Sequence, residues 1–179
     1  MVVHSTTYMP EDGAPKPYVP AEIKEALVML EKDTAQAVLD GFTHLSHATF
    51  NNPVGKEAAG GFGAIEAIVK AMDRFNDNGE VLTGACHALR NIAFHCEPNL
   101  ALVRDQGALT AVIKAMEKHP SIESLQMEGM WALVVFCSNH DDNIAMAKPH
   151  LTILRKAVET YPNNEDIKLK GTFLQALLQ

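Results

Sequence analysis

The chain has 179 residues, of which 47% are hydrophobic and 6% aromatic, and its formal net charge is −7. This length corresponds to one domain with a mainly aliphatic core. An acidic chain without clustered lysine and arginine is unsuited to phosphate backbones and anionic membrane surfaces, so we expect no nucleic-acid ligand. Its longest apolar run is far shorter than the roughly 20 residues of a membrane helix.

The first 20 residues contain four prolines and show no helical periodicity. They are predicted to form a flexible tail, and they lack the basic and apolar stretches of a signal peptide. The three cysteines are an odd number, which disfavours a disulfide framework. Reduced thiols of this kind indicate a protein of the cytoplasm or the nucleus.

From Ala21 onward, apolar residues recur at three- and four-residue spacing and no strand alternation appears, which predicts helix nearly throughout. Polar segments, most of them with a proline close by, interrupt the pattern at regular intervals. In chain order the predicted helices are 21–32, 34–50, 54–60, 63–75, 79–95, 98–105, 107–118, 121–138, 142–148, 149–160 and 164–179.

The regular breaks reflect an internal repeat. GAIEAIVKAM begins at Gly63 and GALTAVIKAM begins at Gly107, 44 positions later, with six of ten residues identical. The same offset relates ACHAL at Ala85 to GMWAL at Gly129, and a further copy follows at an offset of 42. We therefore divide the domain 21–179 into about three and two-thirds units, namely a partial repeat 21–52 and the repeats 53–96, 97–140 and 141–179.

Each unit is predicted to contain a short, a medium and a long helix. One such unit cannot bury its own apolar face, so neighbouring units must stack to form a core. The expected fold is an all-α solenoid, and the periodicity by itself leaves its hand open.

The repeat resembles the armadillo repeat family. The resemblance rests on the Gly-Ala-(Ile/Leu) turns at Gly63 and Gly107, on ACHALRNIA from Ala85, and on the Trp-Ala-Leu of Trp131. It implies a right-handed α–α superhelix over residues 21–179. It also implies a non-enzymatic scaffold or adaptor that binds an extended peptide or a partner helix in a concave groove.

The family carries a Trp-like and an Asn-like position on each groove helix. The resemblance places the Trp-like positions at Thr43, His87, Trp131 and Phe173, and the Asn-like positions at His47, Asn91, Val135 and Leu177. Only Trp131 keeps the tryptophan and only Asn91 keeps the asparagine. An importin-alpha-like nuclear transport adaptor is therefore the less favoured form of the interaction hypothesis, because no unit keeps both residues.

Charged residues add to the predicted groove. Arg90 lies one turn from His87 and is placed either to clamp a carboxylate or to form a surface salt bridge. Asp40 and Glu128 each precede a Trp-like position by three residues and are expected to border the groove. Together with the acidic net charge, they favour a mildly basic protein or peptide partner.

No motif indicates an enzyme, a cofactor or a metal. His44 and His47 have a spacing that suits a metal on one helix face, but no recognisable ligand motif accompanies them. The glycines from Gly60 to Gly63 lack the Lys-Ser/Thr of a phosphate-binding loop. We expect no catalytic residues, no cofactor and no metal.

A self-associating structural subunit is the alternative hypothesis. The last predicted helix ends in FLQALLQ, and no further unit follows to cover Leu174, Leu177 or Leu178. Exposed apolar ends of solenoids need a cap or a partner. This reading predicts a homodimer through the C-terminal helix.

Overall fold

A computed structural model describes residues 20–179, and every regular element in that range is a helix. The prediction of an all-α chain is confirmed for these residues, whereas residues 1–19 of the predicted tail lie outside them. The α-helices, with a 3₁₀ turn at Lys148–His150, are α1 Ala21–Leu30, α2 Ala35–Thr49, α3 Pro53–Gly61, α4 Ala64–Arg74, α5 Gly79–Ala93, α6 Glu97–Asp105, α7 Ala108–Lys118, α8 Glu123–Cys137, α9 Asp141–Ala147, α10 Leu151–Thr160 and α11 Glu165–Leu177.

Equivalent helices of successive units contact one another. The long helices form one series, in which α2 contacts α5, α5 contacts α8, and α8 contacts α11. The medium helices form a second series through α1, α4, α7 and α10, and each medium helix also packs on the long helix of its own unit. The buried aliphatic side chains lie between these two series, so the core is shared by neighbouring units.

The first three long helices end in the same backbone conformation. Asn51, His95 and Asn139 have φ values of 48°, 54° and 59° and are spaced by 44 residues. A left-handed residue cannot continue a right-handed helix, and asparagine and histidine tolerate this region better than most side chains. The extended backbone of Phe94 and the left-handed His95 that follows it end α5 at Ala93, two residues before its predicted end.

The turn from short to medium helix also repeats. Gly63 and Gly107 have φ values of 81° and 76° and stand at the N-caps of α4 and α7. Glycine adopts this conformation without the steric cost that a Cβ would impose. The bend expected at the two matching sequence segments is thus present at both.

Buried asparagine side chains join the units. The Nδ2 of Asn99 donates to the carbonyl oxygens of Lys56 and Ile92 at 2.8 and 3.0 Å. Asn143 makes the equivalent pair of bonds 44 residues later, at 3.2 and 2.8 Å. In each case one amide satisfies the end of the preceding long helix and a carbonyl of the preceding short helix, so it sets the spacing between two units.

In the repeat 53–96, different residues provide the hydrogen bond to the end of the preceding long helix. Gly55 occupies the position equivalent to Asn99, and a Cβ there would lie 2.0 Å from the carbonyl oxygen of Ala48. Asn52 donates to that carbonyl at 2.9 Å instead, and its Oδ1 accepts from the Gly55 amide at the start of α3. The chain therefore packs more closely here than a side chain would allow.

Polar side chains at the ends of the medium helices tie each unit to the preceding one. The Nη2 of Arg74 donates to the carbonyl of Leu30 at 2.6 Å. Lys118, 44 residues later, pairs with Asp77 at 2.8 Å, and the hydroxyl of Tyr161 donates across the next junction at 3.1 Å. In three units, a side chain at the end of the medium helix therefore contacts the preceding unit, although the type of contact differs.

The leucines near the C-terminus are covered within the chain. Leu174 and Leu178 are 0% and 1% exposed, and Leu177 is half-buried. The expectation that no element covers them is wrong for Leu174 and Leu178, because α11 packs against α8 and α10. The large exposed apolar side chains of α11 are Leu169 and Phe173.

Replacing Asn143 tests the junction between units. Asn143→Ala removes two hydrogen bonds and leaves two carbonyls without this donor, so we expect the free energy of unfolding to fall by about 2–4 kcal/mol. Urea denaturation followed by circular dichroism measures the change. The control is Asn163→Ala, an exposed position, which should change stability by less than about 0.5 kcal/mol. Equal effects of the two substitutions would contradict a structural role for the buried amide.

Candidate functional site

A groove of about 490 Å³ lies across the C-terminal halves of α2, α5 and α8. We call it the main groove. It is formed by consecutive long helices and by the loops and short helix next to their ends, and its lining residues are Thr49, Phe50, Asn51, Lys56, His87, Arg90, Asn91, Phe94, Glu128, Trp131 and Val135.

The main groove brings together five of the predicted contact residues, together with Glu128, which was predicted to border the groove. His87, Arg90 and Asn91 come from α5, and Trp131 and Val135 come from α8. They converge because α5 and α8 pack side by side, so that positions 44 residues apart lie at similar heights on neighbouring helices.

The other predicted residues lie elsewhere. Thr43 lines a second groove of about 440 Å³ between α2 and α5, which we call the acidic groove and which is lined by Gln36, Leu39, Asp40, Phe42, Thr43, Ser46, Glu80, Gly84 and His87. His47 is exposed on α2 and lines neither groove. Phe173 is exposed on α11, away from the main groove lining.

Trp131 is held between two cations. The guanidinium carbon of Arg90 lies 3.9 Å from the ring centroid and the ammonium nitrogen of Lys170 lies 4.2 Å from it. These distances are within the range of cation–π interactions. The two side chains come from α5 and α11, which contact α8 on either side, and the indole is still 38% exposed. The ring therefore keeps one open edge towards the groove.

Glu128 balances part of this positive charge. Its carboxylate oxygens lie 3.5 Å from Nδ1 of His87 and 3.6 Å from Nη2 of Arg90, and that same guanidinium nitrogen is 2.9 Å from His87 Nδ1. Burial tends to raise the pKa of Glu128. His87, Arg90 and Lys170 outweigh this effect and hold the pKa below its ordinary value of 4.5. The carboxylate is thus ionised at neutral pH and is engaged within the chain.

Asn91 is available for a ligand. Its side chain is half-buried at the groove wall and forms no hydrogen bond with the residues that the structure describes. A primary amide has two donors and one acceptor oxygen. Asn91 can therefore bond both to a carbonyl and to an amide of an extended backbone.

Lys56 and two phenylalanines were not predicted from the sequence. Phe50 and Phe94 are 69% and 47% exposed and follow α2 and α5 directly. Lys56 is buried, donates to the carbonyl of Phe94 and lies 5.2 Å from its ring centroid. Burial lowers the pKa of Lys56. The 44-residue spacing of the phenylalanines was a usable signal, whereas nothing in the local sequence marks Lys56 as a groove residue.

No protein-family model matches this chain, and no curated protein matches it either. Within residues 20–179, no three metal-ligating side chains lie together and no helix is long and apolar enough to cross a membrane. The main groove is therefore interpreted from its own geometry.

The carboxylate of Glu128 gives a pH-dependent prediction. Glu128→Gln leaves Arg90 without its ionic partner, and the free energy of unfolding at pH 7 should fall by about 1–3 kcal/mol. The folded-state pKa is lowered, so the stabilisation is present above 4.5 and is lost as pH falls through the folded-state value. The difference in free energy of unfolding between the wild type and the variant should therefore become smaller at acidic pH.

Urea denaturation of the wild type and the variant at neutral and acidic pH measures this deficit. Glu159→Gln, at an exposed position on α10, is the matched control and should show no deficit at either pH. A deficit of the same size at both pH values would mean that the charge of Glu128 does not stabilise the fold.

Proposed function

We propose that this chain is an armadillo-like helical solenoid and a non-enzymatic protein-interaction scaffold that binds an extended peptide segment of a partner. The repeat of 42–44 residues and the two series of stacked helices support the solenoid, whose superhelix is right-handed in the armadillo arrangement. The long helices then form the binding surface.

The main groove carries the proposal. It combines exposed aromatic rings with the side-chain amide of Asn91, which forms no hydrogen bond with the described residues. Rings can bind the side chains of an extended peptide, and a free amide can bind its backbone. Phe50, Phe94 and Trp131 offer apolar contact area, and Asn91 offers hydrogen bonds that do not depend on the peptide's side chains.

The cysteines support the non-enzymatic and intracellular parts of the proposal. Cys86, Cys96 and Cys137 are unpaired and buried, and burial raises the pKa of each thiol. A buried thiol that stays protonated is a poor nucleophile. Unpaired cysteines are also typical of a reducing compartment, so we propose a location in the cytoplasm or the nucleus.

Selection of peptides from a random display library tests the proposal. The wild type should enrich a set of peptides, and the double variant Asn91→Ala, Trp131→Ala should bind them at least tenfold more weakly, because it loses the amide and the largest exposed ring. Fluorescence anisotropy measures the affinities. Asn163→Ala is the control and should bind like the wild type.

A second measurement guards against loss of folding in the double variant. Hydrogen exchange of the wild-type chain with a selected peptide should show added protection at the main groove, in α5 and α8. Protection confined to the medium helices, or the absence of any enriched peptide, would contradict the proposal.

Self-association through α11 is a second candidate, favoured by the exposed side chains of Leu169 and Phe173. Burying two such residues against a second copy would remove apolar area from water. Sedimentation equilibrium at high concentration should then show a dimer, and Leu169→Ser with Phe173→Ser should restore the monomer. Val54→Ser is the control at another exposed apolar position. A monomeric wild type would exclude this candidate.

A further inference from the structure

The charge in the main groove is opposite to the charge of the chain. The protein as a whole carries −7, yet the main groove is lined by two basic side chains, Lys56 and Arg90, and by one carboxylate, Glu128. That carboxylate already faces Arg90 and His87. The groove thus has unbalanced positive charge inside an acidic molecule.

Two cations of the chain already lie over the ring of Trp131, which disfavours a basic ligand there. Arg90 and Lys170 lie over the ring at 3.9 and 4.2 Å from its centroid. A lysine or arginine side chain of a ligand would have to displace one of them, and would meet two like charges as it did so. The expectation of a mildly basic partner does not fit this part of the surface.

A ligand carboxylate fits it well. Lys56 and Arg90 are largely desolvated in the groove wall, and the Lys56 ammonium uses one of its three donors on the carbonyl of Phe94 and keeps two. Donors that are already ordered and dehydrated recognise a carboxylate at a lower cost than flexible surface lysines. The exposed rings of Phe50 and Phe94 lie in the same groove, so an apolar side chain beside the carboxylate also finds contact area.

The acidic groove offers the opposite charge. Asp40 and Glu80 are among its lining residues, and neither lysine nor arginine is. It shares His87 with the main groove, so the two grooves are adjacent. One ligand can therefore reach both.

The positions of Glu80 and Arg90 define a spacing. Both lie on α5, ten residues apart, which corresponds to about 15 Å along the helix axis. An extended chain advances roughly 3.3–3.6 Å per residue. The distance between the two charged regions is thus that of about four or five residues of extended peptide.

We propose that the ligand is an extended peptide with two features. It carries a glutamate or aspartate beside an aromatic or aliphatic residue, which bind Lys56, Arg90 and the rings of the main groove. About four or five residues away it carries a lysine or arginine, which binds Asp40 and Glu80 in the acidic groove. This inference rests on the proposed peptide-binding function and adds the chemistry and spacing of the partner.

Sequencing the library peptides enriched by the wild type gives the first test. They should share an acidic residue next to an apolar one, with a basic residue about four or five positions away. One enriched peptide is then studied by anisotropy with Lys56→Met, which removes the charge and keeps the aliphatic stem, and with the peptide's acidic residue changed to its amide.

A double-mutant cycle separates a direct contact from an indirect effect. Each single change should weaken binding at least tenfold, and the peptide change should have little further effect once Lys56 is methionine. Lys70→Met, at an exposed site on α4, is the control and should bind like the wild type. The same cycle with Asp40→Asn, Glu80→Gln and the peptide's basic residue tests the acidic groove.

The outcomes distinguish this inference from the proposed function. Enriched peptides that lose affinity in the Asn91→Ala, Trp131→Ala variant but lack an acidic residue, or that show no coupling to Lys56, overturn the inference and leave the peptide-binding function standing. Uniformly basic peptides overturn it as well. If the wild type enriches no peptide, both fail.

Discussion

A buried amide at each junction between units determines how the rest of the molecule is arranged. Asn99 lies in a short helix and donates to the last turn of the preceding long helix and to the preceding short helix. The carbonyl of Ile92 lies in the last turn of α5, where no further helical turn supplies a donor, so leaving it without a hydrogen bond inside the core would be costly. The amide can satisfy both only when two successive units are held at one spacing, which is why Asn143 repeats the arrangement 44 residues later.

This spacing creates the main groove. Each of the first three long helices is followed by a left-handed residue, and α5 packs against α8, so that equivalent side chains of these two helices lie side by side. Trp131 comes to lie beside Arg90, and Glu128 beside His87. The groove thus collects cations, rings and an unengaged amide although the chain as a whole is acidic. Local charge at a binding surface depends on which side chains the packing brings together and is independent of the net charge.

Part of the candidate site could be predicted from the sequence. The offset of 44 residues aligned His87 with Trp131 and Asn91 with Val135, and the structure brings all four into one groove. The contacts of the charged residues were harder to predict from the sequence. Arg90 was expected either to clamp a carboxylate or to form a surface salt bridge. It lies 3.6 Å from Glu128 in a pair that is largely buried, and its stacking on Trp131 depends on the register between two helices. Lys170 belongs to the last unit, and it lies near this site only because α11 packs against α8. Lys56 belongs to the same unit as Arg90 but comes from α3, and it reaches the groove because α3 packs against α5.

The sequence by itself predicted that residues 21–179 form helices nearly throughout, where most helices begin and end, and that about three and two-thirds units share one pattern. These properties depend on apolar spacing and on residues such as Gly63 and Gly107, whose effects act within one or two turns of the chain. The tertiary structure alone decided that Leu174 and Leu178 are covered, that two cations lie over the ring of Trp131, and that positive and negative grooves lie side by side. Each of these results joins side chains from different units, and their distances are set by how the helices stack and not by any local spacing along the chain.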